Sequence, residues 1–537
     1  MTTTLRADVA VIGGGLGGVA AAIAACRRGA TVILSCEEPW LGGQLTSQAV
    51  PPDEHPWIEE IGATSSYRAM RTGIRDYYRR SYPLTDRARA STELNPGAGW
   101  VSKLCHEPKV AGAVIEEMLA PLVSRGSLTI VRLARPIAAE TDGARVTGVT
   151  LLSETRGELD IVATFFVDAT ELGDLLPLTG TEYVTGFESQ ADTGEPHAPA
   201  EAQPDNVQAL TICFALDHVD GDHTIDRPEQ YDHWRASAPA AWGGPLLSLE
   251  APHPRTGEKE YKQFVPNPGD DVGAVDADQS VKAGDDNLWL FRRISARDMF
   301  ERGAFASDIT LVNWGMIDYL ENHVIDVDEA TKASRLHDAK QLSLSMLYWL
   351  QTEVERPDGG AGWPGLRLRP DVMGTDDGMA QAAYHREGRR IRSLRRVVEQ
   401  DLSLAERGER GAVQYSDSVG IGMYRIDLHP STGGDGYIDV ASSPFEIPLG
   451  ALIPERVENL LAGAKNIGTT HITNGCYRLH PVEWSAGEVA GLLAADCVLS
   501  GRTPHQVWND ARLLADFQDL TERFGIPRRW PEGVKGY

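Results

Sequence analysis

The chain has 537 residues, enough for two or three domains around a large core. Its 42% hydrophobic and 24% charged content is that of a globular protein, and its formal net charge of −26 argues against a nucleic-acid or anionic-membrane partner, either of which wants a basic face. The six cysteines form no C-x-x-C pair and the 14 histidines no H-E-x-x-H, so neither a disulfide framework nor a metal site is expected, and the usage points to the cytoplasm.

The apolar run Val9–Ile12 stops at Gly13, Gly15 and Gly18, in Gly-x-Gly-x-x-Gly spacing. An alanine-rich stretch to Arg28 follows, Gly29 ends it, and Thr31–Leu34 form a second apolar run. The order is strand, tight turn, helix, strand. Gly13 permits the turn, Gly15 lets the backbone approach a pyrophosphate, and Gly18 lets the helix pack closely on the strand. The helix opening at Leu16 then presents free N–H groups and its positive dipole end to the diphosphate. The alternative is a glycine-rich turn with no ligand. Five glycines between Val9 and Ala25 argue against a membrane span, and no cleavage site follows a charged leader.

Farther on, Gly42-Gly43-Gln44 suggests backbone brought close to a ligand again, and VPPDEHP at 50–56 is a proline-rich loop. Residues 57–80 and 109–124 read as helices. Three β runs follow, Leu128–Leu133, Arg145–Leu152 and Leu159–Val167, with turns at Asp142-Gly143 and Arg156-Gly157. The last ends in Asp168-Ala169-Thr170, which places Ala169 and Thr170 at the ligand end of the sheet. Residues 186–205 form a polar loop. From there to about 410 tryptophan and tyrosine become frequent, 252–286 reads as a long loop, and 326–355 as a long helix with Leu342, Leu344, Met346, Leu347 and Leu350 on its apolar side. Near the end, Asn459–Ala464 reads as a short strand entering a turn, and Ser485–Leu499 as a helix whose Gly487, Gly491 and alanines make a small-residue face.

These parts fit one geometry for FAD. Its diphosphate meets the first helix, and its ring lies near a second helix whose positive end stabilises negative charge on the reduced ring. The expected fold is α/β: a discontinuous Rossmann-like FAD-binding domain (1–185 and 411–505) with an inserted α+β cap or substrate domain (186–410) and an extension (506–537) packed outside.

The strings WLGGQLTSQ (40–48), PPDEH (51–55), WVSKLCHEPKV (100–110), FVDATELGDLLPLTG (166–180), NVQALTICFAL (206–216), SDSVGIGMYRIDLHP (416–430) and CYRLHPVEWSAGEVAG (476–491) resemble the FAD-dependent oxidoreductases of the FAD_oxidored group, distant relatives of the fumarate-reductase-like flavoproteins. The resemblance implies FAD and a redox role, not a particular reaction. Two positions depart from the pattern. The carboxylate that binds the adenosine ribose falls on Cys36 by count, with Glu37 one residue later; Glu37 is favoured, the alternative being a bond left to backbone at Cys36. His106 stands where an aromatic apolar residue is usual.

Beside the cofactor the further candidates are Lys103, Cys105, Ile137, Gly463, Asn466, Arg478, Pro481 and Trp484. Cys105 raises the possibility of a covalent flavin bond, with a buried structural cysteine as the alternative. Arg478 and His480 precede the last helix, where the ring is expected. A cation there suits reduced flavin or a substrate oxygen, and a histidine can move the proton that accompanies hydride transfer. His471 is a third catalytic candidate. For all three the alternative is bracing the loop. Asn313, Tyr384, Tyr424, Asp427 and His429 hold polar groups in apolar surroundings and are the substrate candidates. Asp427 and His429 alternate on an expected strand and so share a face. For 384–390 the alternative is an exposed charged helix face.

Three functions stay open. One is a dehydrogenase or oxidase that takes hydride from C–H next to oxygen or nitrogen, or desaturates C–C. Another is a monooxygenase, disfavoured because Ala462-Gly463-Ala464 stands where such enzymes carry Gly-Asp-Ala. The third is a non-catalytic or RNA-modifying flavin-binding protein. With no second Gly-x-Gly-x-x-Gly for NAD(P)H, the expected electron acceptor is dioxygen or a carrier.

Overall fold

Val9 to Ile12 are buried on both faces of a sheet, which is why they form an unbroken apolar run. In the computed structural model, which describes residues 3–268 and 287–537, the main sheet has seven strands: β1 (Thr3–Ile12), β2 (Val32–Ser35), β3 (Leu128–Val131), β4 (Ala134–Asp142), β5 (Arg145–Ser153), β6 (Gly157–Asp168) and β7 (Leu460–Ala462). The order β3-β2-β1-β6 is parallel. On its far side β6 serves two neighbours. Its first half pairs antiparallel with β5, which pairs in turn with β4, and its last residues pair parallel with β7. Asn459 fills the fork between them. Its side-chain oxygen accepts the Val146 N–H at 2.8 Å, and its amide donates to the carbonyls of Val146 at 2.8 Å and Thr164 at 3.0 Å.

Four strands stand where three β runs are expected. Leu128–Val131 belongs to the parallel layer, and β4 carries Pro136 and three alanines, a weak strand signature. Its place at the sheet edge tolerates the proline's missing donor.

Helix α1 (Leu16–Arg28) follows the turn and ends at Gly29 in the left-handed region. Helix α2 (Ser65–Ser81) starts later than expected because the Thr64 side chain caps it, accepting the Tyr67 N–H. Helix α3 is Pro108–Ser124 and α4 is Glu329–Thr352, capped by Asp328. The closing helix α5 (His480–Ser500) begins five residues earlier than expected, since Pro481 suits a first turn whose N–H groups have no intrahelical acceptor. α5 lies directly on α1, and Gly487 and Gly491 put backbone against backbone: a Cβ at either would meet the carbonyl of Gly17 or Ala21.

A second core is drawn mainly from residues 207–383, narrower than the 186–410 expected for the cap, because Ala296–Phe300 and Ile391–Leu402 pack into the first core. Its four-stranded sheet runs Arg293–Ser295, Ile309–Val312, Phe214–His218, Leu366–Leu368. Trp234, Trp289 and Trp314 pack there with Leu342, Leu347 and Leu350 of α4. The loop expected at 252–286 lies outside the described residues from 269 on; its start joins a short hairpin, Glu250–Pro252 with Lys259–Tyr261. The extension packs on the first core through Val507, Phe517 and Ile526, and the Trp530 indole donates to the carbonyls of Gly422 and Phe445. Among the described residues no helix is long and apolar enough to cross a membrane.

Candidate functional site

A groove opens where β1 turns into α1, at the carboxyl ends of the parallel strands. Gly13, Gly15, Glu37, Gly43, Ala169 and Thr170 line it, as do Ser35, Gln48 and Glu171. Gly13 has φ +108° and leaves no room for a Cβ against the Ala169 carbonyl, so only glycine fits the turn. Among the described residues the N–H groups of Gly14, Gly15 and Leu16 have no hydrogen-bond partner. Three free donors at the head of α1 make an anion cradle. Glu37 stands exposed at the groove's lip, and the buried Gln48 Oε1 has no partner. These features suit a dinucleotide: the cradle for its diphosphate, Glu37 for ribose hydroxyls, and Gln48 for a donor on the ligand.

Other residues expected at the cofactor brace this groove. Gly18 packs on the Gly13 carbonyl. Gly42 donates to the Gly14 carbonyl at 2.8 Å. Gln44 donates to the Arg478 carbonyl at 2.9 Å and to Glu483, whose carboxylate also accepts the Gly17 N–H at 3.3 Å. Gly463 donates to the Asp168 carbonyl at 2.9 Å, and the Asn466 amide bonds the same oxygen at 3.1 Å. Leu16 is buried in the core, and Pro481 starts α5.

Several candidates face elsewhere. Cys36 is buried behind Gly14, not in the groove. Cys105 is buried and its Sγ donates to the Ser102 carbonyl at 3.6 Å; burial pushes its thiol up to about 12, so no reactive thiolate is on offer there. The Trp484 indole turns into α2 and donates to Ser66 Oγ at 2.7 Å. Ile137 gives way to its neighbour Pro136 as the groove residue of β4, and Lys103 lines neither this groove nor the cavity below.

Neither His480 nor His471 lines the groove or the cavity described below. His480 is fully buried: Nδ1 accepts the Asp53 N–H at 3.1 Å, and Nε2 sits 3.2 Å from the Val50 carbonyl. Burial lowers its pKa to about 3. Both ring nitrogens are committed to backbone, so His480 positions the 50–53 loop and has none left for proton transfer. His471 is buried, stacked on Phe187 with ring centroids 3.5 Å apart and ion-paired to Glu387 at 2.9 Å. Burial pushes the Glu387 carboxyl up, but His471 and Arg390 outweigh it and hold it at about 2. Arg478 is buried too, donating to the Tyr384 hydroxyl at 2.6 Å and to the Asp427 carbonyl at 3.1 Å. Tyr384 therefore meets Arg478 and not the cavity.

That cavity, about 370 Å³, lies between the two cores. Asn313, Tyr424, Asp427 and His429 all line it, with Asp53, Arg292, Trp314 and Tyr437. Trp314 adjoins the candidate Asn313, while Asp53, Arg292 and Tyr437 are not candidates from the sequence. Only Asp53 left a signal, within the PPDEH string; Arg292 follows the 252–286 loop and carries no local pattern.

A glycine turn on a parallel sheet, closed by a helix from the far end of the chain, defines a dinucleotide-binding flavoprotein fold. The chain belongs to the FAD dependent oxidoreductase family, whose profile matches residues 8–521, and FAD is its cofactor. No curated protein matches the sequence. Among solved structures it is similar to a geranylgeranyl bacteriochlorophyll reductase-like protein from Thermoplasma acidophilum, at 11% identity over 97% of this chain and 85% of that one, TM-score 0.31. It is similar also to L-proline dehydrogenase from P. horikoshii (17% identity, 35% and 24% covered, TM-score 0.18) and to the myxobacterial chondrochloren halogenase CndH (19%, 41% and 45%, TM-score 0.22). The chain thus spans about a quarter of the dehydrogenase and under half of the halogenase.

Proposed function

We propose that the chain is a dehydrogenase or oxidase that takes hydride from a small organic substrate held between the cap and the FAD-binding domain. The observation that carries this reading is the 370 Å³ cavity, of a size for a small molecule and walled by aromatic rings together with ionisable groups of both signs. FAD, when bound, supplies the two-electron acceptor. The chain's own residues do the rest. Gly13, the free N–H groups of Gly14 to Leu16, and Glu37 hold the cofactor's phosphates and ribose. Trp242, Trp314 and Tyr437 exclude water, while Asp53, Arg292, Asp427 and His429 orient the substrate and take up its proton. Dioxygen or an electron carrier is the acceptor in this reading, because no second nucleotide turn is present in the sequence.

The test is anaerobic mixing of the purified holoprotein with alcohols, amines, sugars and saturated acids. Bleaching of the visible flavin band by one class, with reoxidation by air or a dye, is expected. Rapid bleaching by NADPH with none of these overturns the reading and favours a monooxygenase.

A further inference from the structure

We propose that the substrate is a hydroxy acid, with His429 accepting the proton of its hydroxyl and Arg292 receiving its carboxylate; this rests on the hydride-transfer reading above and narrows it.

His429 is held as a base. Its Nδ1 lies 2.6 Å from Asp318 Oδ2. Asp318 is fully buried and is itself fixed by the Thr211 hydroxyl at 2.6 Å and the Arg386 guanidinium at 3.0 Å. A carboxylate only accepts, so the imidazole proton sits on Nδ1 and the Nε2 lone pair is left free. No described residue bonds Nε2, and His429 lines the cavity. Burial, aided by Arg386, lowers the His429 pKa against the pull of Asp318 and Asp427, which keeps the ring neutral and able to accept.

Arg292 is held as an anion receptor. Its Nε and Nη1 are buried without partners, and the nearest carboxylate, Asp53, stands 3.7 Å from Nη1. Buried unpaired donors on a guanidinium are costly, and the planar fork matches a carboxylate. Trp314 Nε1, another unpartnered buried donor, opens on the same cavity. Arg292, Asp53 and His429 line the same cavity, with Asp53 3.7 Å from the Arg292 guanidinium.

The charges around His429 agree. Asp53, Asp318 and Asp427 face Arg292, Arg386 and Arg478, with Tyr424 and Tyr437 neutral beside them. The cavity wall further carries Arg255 and Lys262 against Glu260 and Asp439. An entering carboxylate adds one negative charge, which the proton arriving on His429 offsets. In the step, the O–H bond breaks with its proton to Nε2. FAD, when bound, would supply the acceptor for the C–H electron pair as hydride, and the carbinol would become a ketone.

The holoenzyme is tested anaerobically with mandelate, lactate, the neutral analogue 1-phenylethane-1,2-diol, and phenylglycine. Bleaching by a hydroxy acid is expected. Binding is read from the flavin spectrum. Arg292→Gln weakens hydroxy-acid binding about 10- to 100-fold and leaves diol binding unchanged. If that variant does not fold, Arg292→Lys, which keeps the charge and loses the fork, is read the same way with a smaller loss. His429→Gln slows bleaching about 10²- to 10⁴-fold with hydroxy-acid binding retained. Asp318 is a positioning residue: Asp318→Asn lowers the His429 pKa seen by ¹⁵N-histidine NMR and moves the acid limb of the bleaching rate to lower pH. A holoenzyme bleached by phenylglycine or the diol, but by neither hydroxy acid, overturns the proposal and leaves hydride transfer standing. Bleaching by none of the four overturns the proposal, while the hydride-transfer reading falls only if the wider panel of alcohols, amines, sugars and saturated acids also fails. Equal loss of hydroxy acid and diol in Arg292→Gln, or an unmoved His429 pKa in Asp318→Asn, also contradicts it.

Discussion

Gly491→Ala tests whether α1 and α5 must touch through backbone for the two ends of the chain to form one domain. A Cβ at Gly491 would sit 2.1 Å from the Ala21 carbonyl oxygen, where ordinary contact begins near 3.4 Å, so the helices have to part by roughly 1.3 Å. Neither surface can rotate away, because both are backbone. Overpacking of this kind costs about 3 kcal/mol at the upper end of its range. Alanine returns about 1 kcal/mol in helix propensity. The net destabilisation is about 2 kcal/mol. Gly112→Ala is the control: it lies inside α3, and its Cβ would have nothing nearer than Thr46 Cγ2 at 4.0 Å. That variant keeps the propensity gain of about 1 kcal/mol, so the two should differ by about 3 kcal/mol. Urea unfolding followed by tryptophan fluorescence measures both. A Gly491→Ala protein as stable as the Gly112→Ala protein refutes the reasoning.

Glu37→Gln should lower FAD affinity about 10- to 100-fold by removing a charged acceptor, measured by fluorescence titration of apoprotein, while urea stability without FAD stays unchanged because the side chain is exposed. Asn459→Ala leaves three backbone groups in the fork of the sheet unpaired and should cost about 3 kcal/mol in urea unfolding; a cost below about 1 kcal/mol would show the fork closes without it. For His480 the sign follows from its folded pKa of about 3 against 6.5 for the free side chain. The unfolded chain binds a proton below pH 6.5 that the folded chain refuses, so the stability His480 confers is complete above that pH and drains away as pH falls. The penalty of His480→Gln at pH 8 should therefore shrink by about 2 kcal/mol at pH 5, and a pH-independent penalty would contradict the buried neutral ring.

The first βα unit is legible in the sequence because its glycines answer local constraints, a left-handed turn at Gly13 and close packing at Gly18, that no other residue meets. The small-residue face of α5 is legible for the same reason. β4 is not, because an edge strand needs little strand propensity and Pro136 disguises it. At the site, Asn313, Tyr424, Asp427 and His429 stand out as polar groups in apolar runs, and the fold brings them to one cavity. Their partners do not stand out. Arg292 and Asp318 come from distant, locally unremarkable segments, and Asp53 and Arg386, though they lie in the PPDEH and 384–390 stretches, acquire their roles only across the fold. Residue type misleads for His471 and His480. Both sit where a base is wanted, but whether a histidine faces a cavity depends on burial and partners that local sequence does not encode.

The most direct measurement is to record the visible spectrum of the purified protein, denature it, and identify what is released. A yellow protein that yields about one equivalent of free FAD per chain, with none left attached to the polypeptide, is the expected result; the buried, hydrogen-bonded Cys105 offers no tether. A folded, colourless protein that takes up no added FAD would contradict the joint cofactor site at its root.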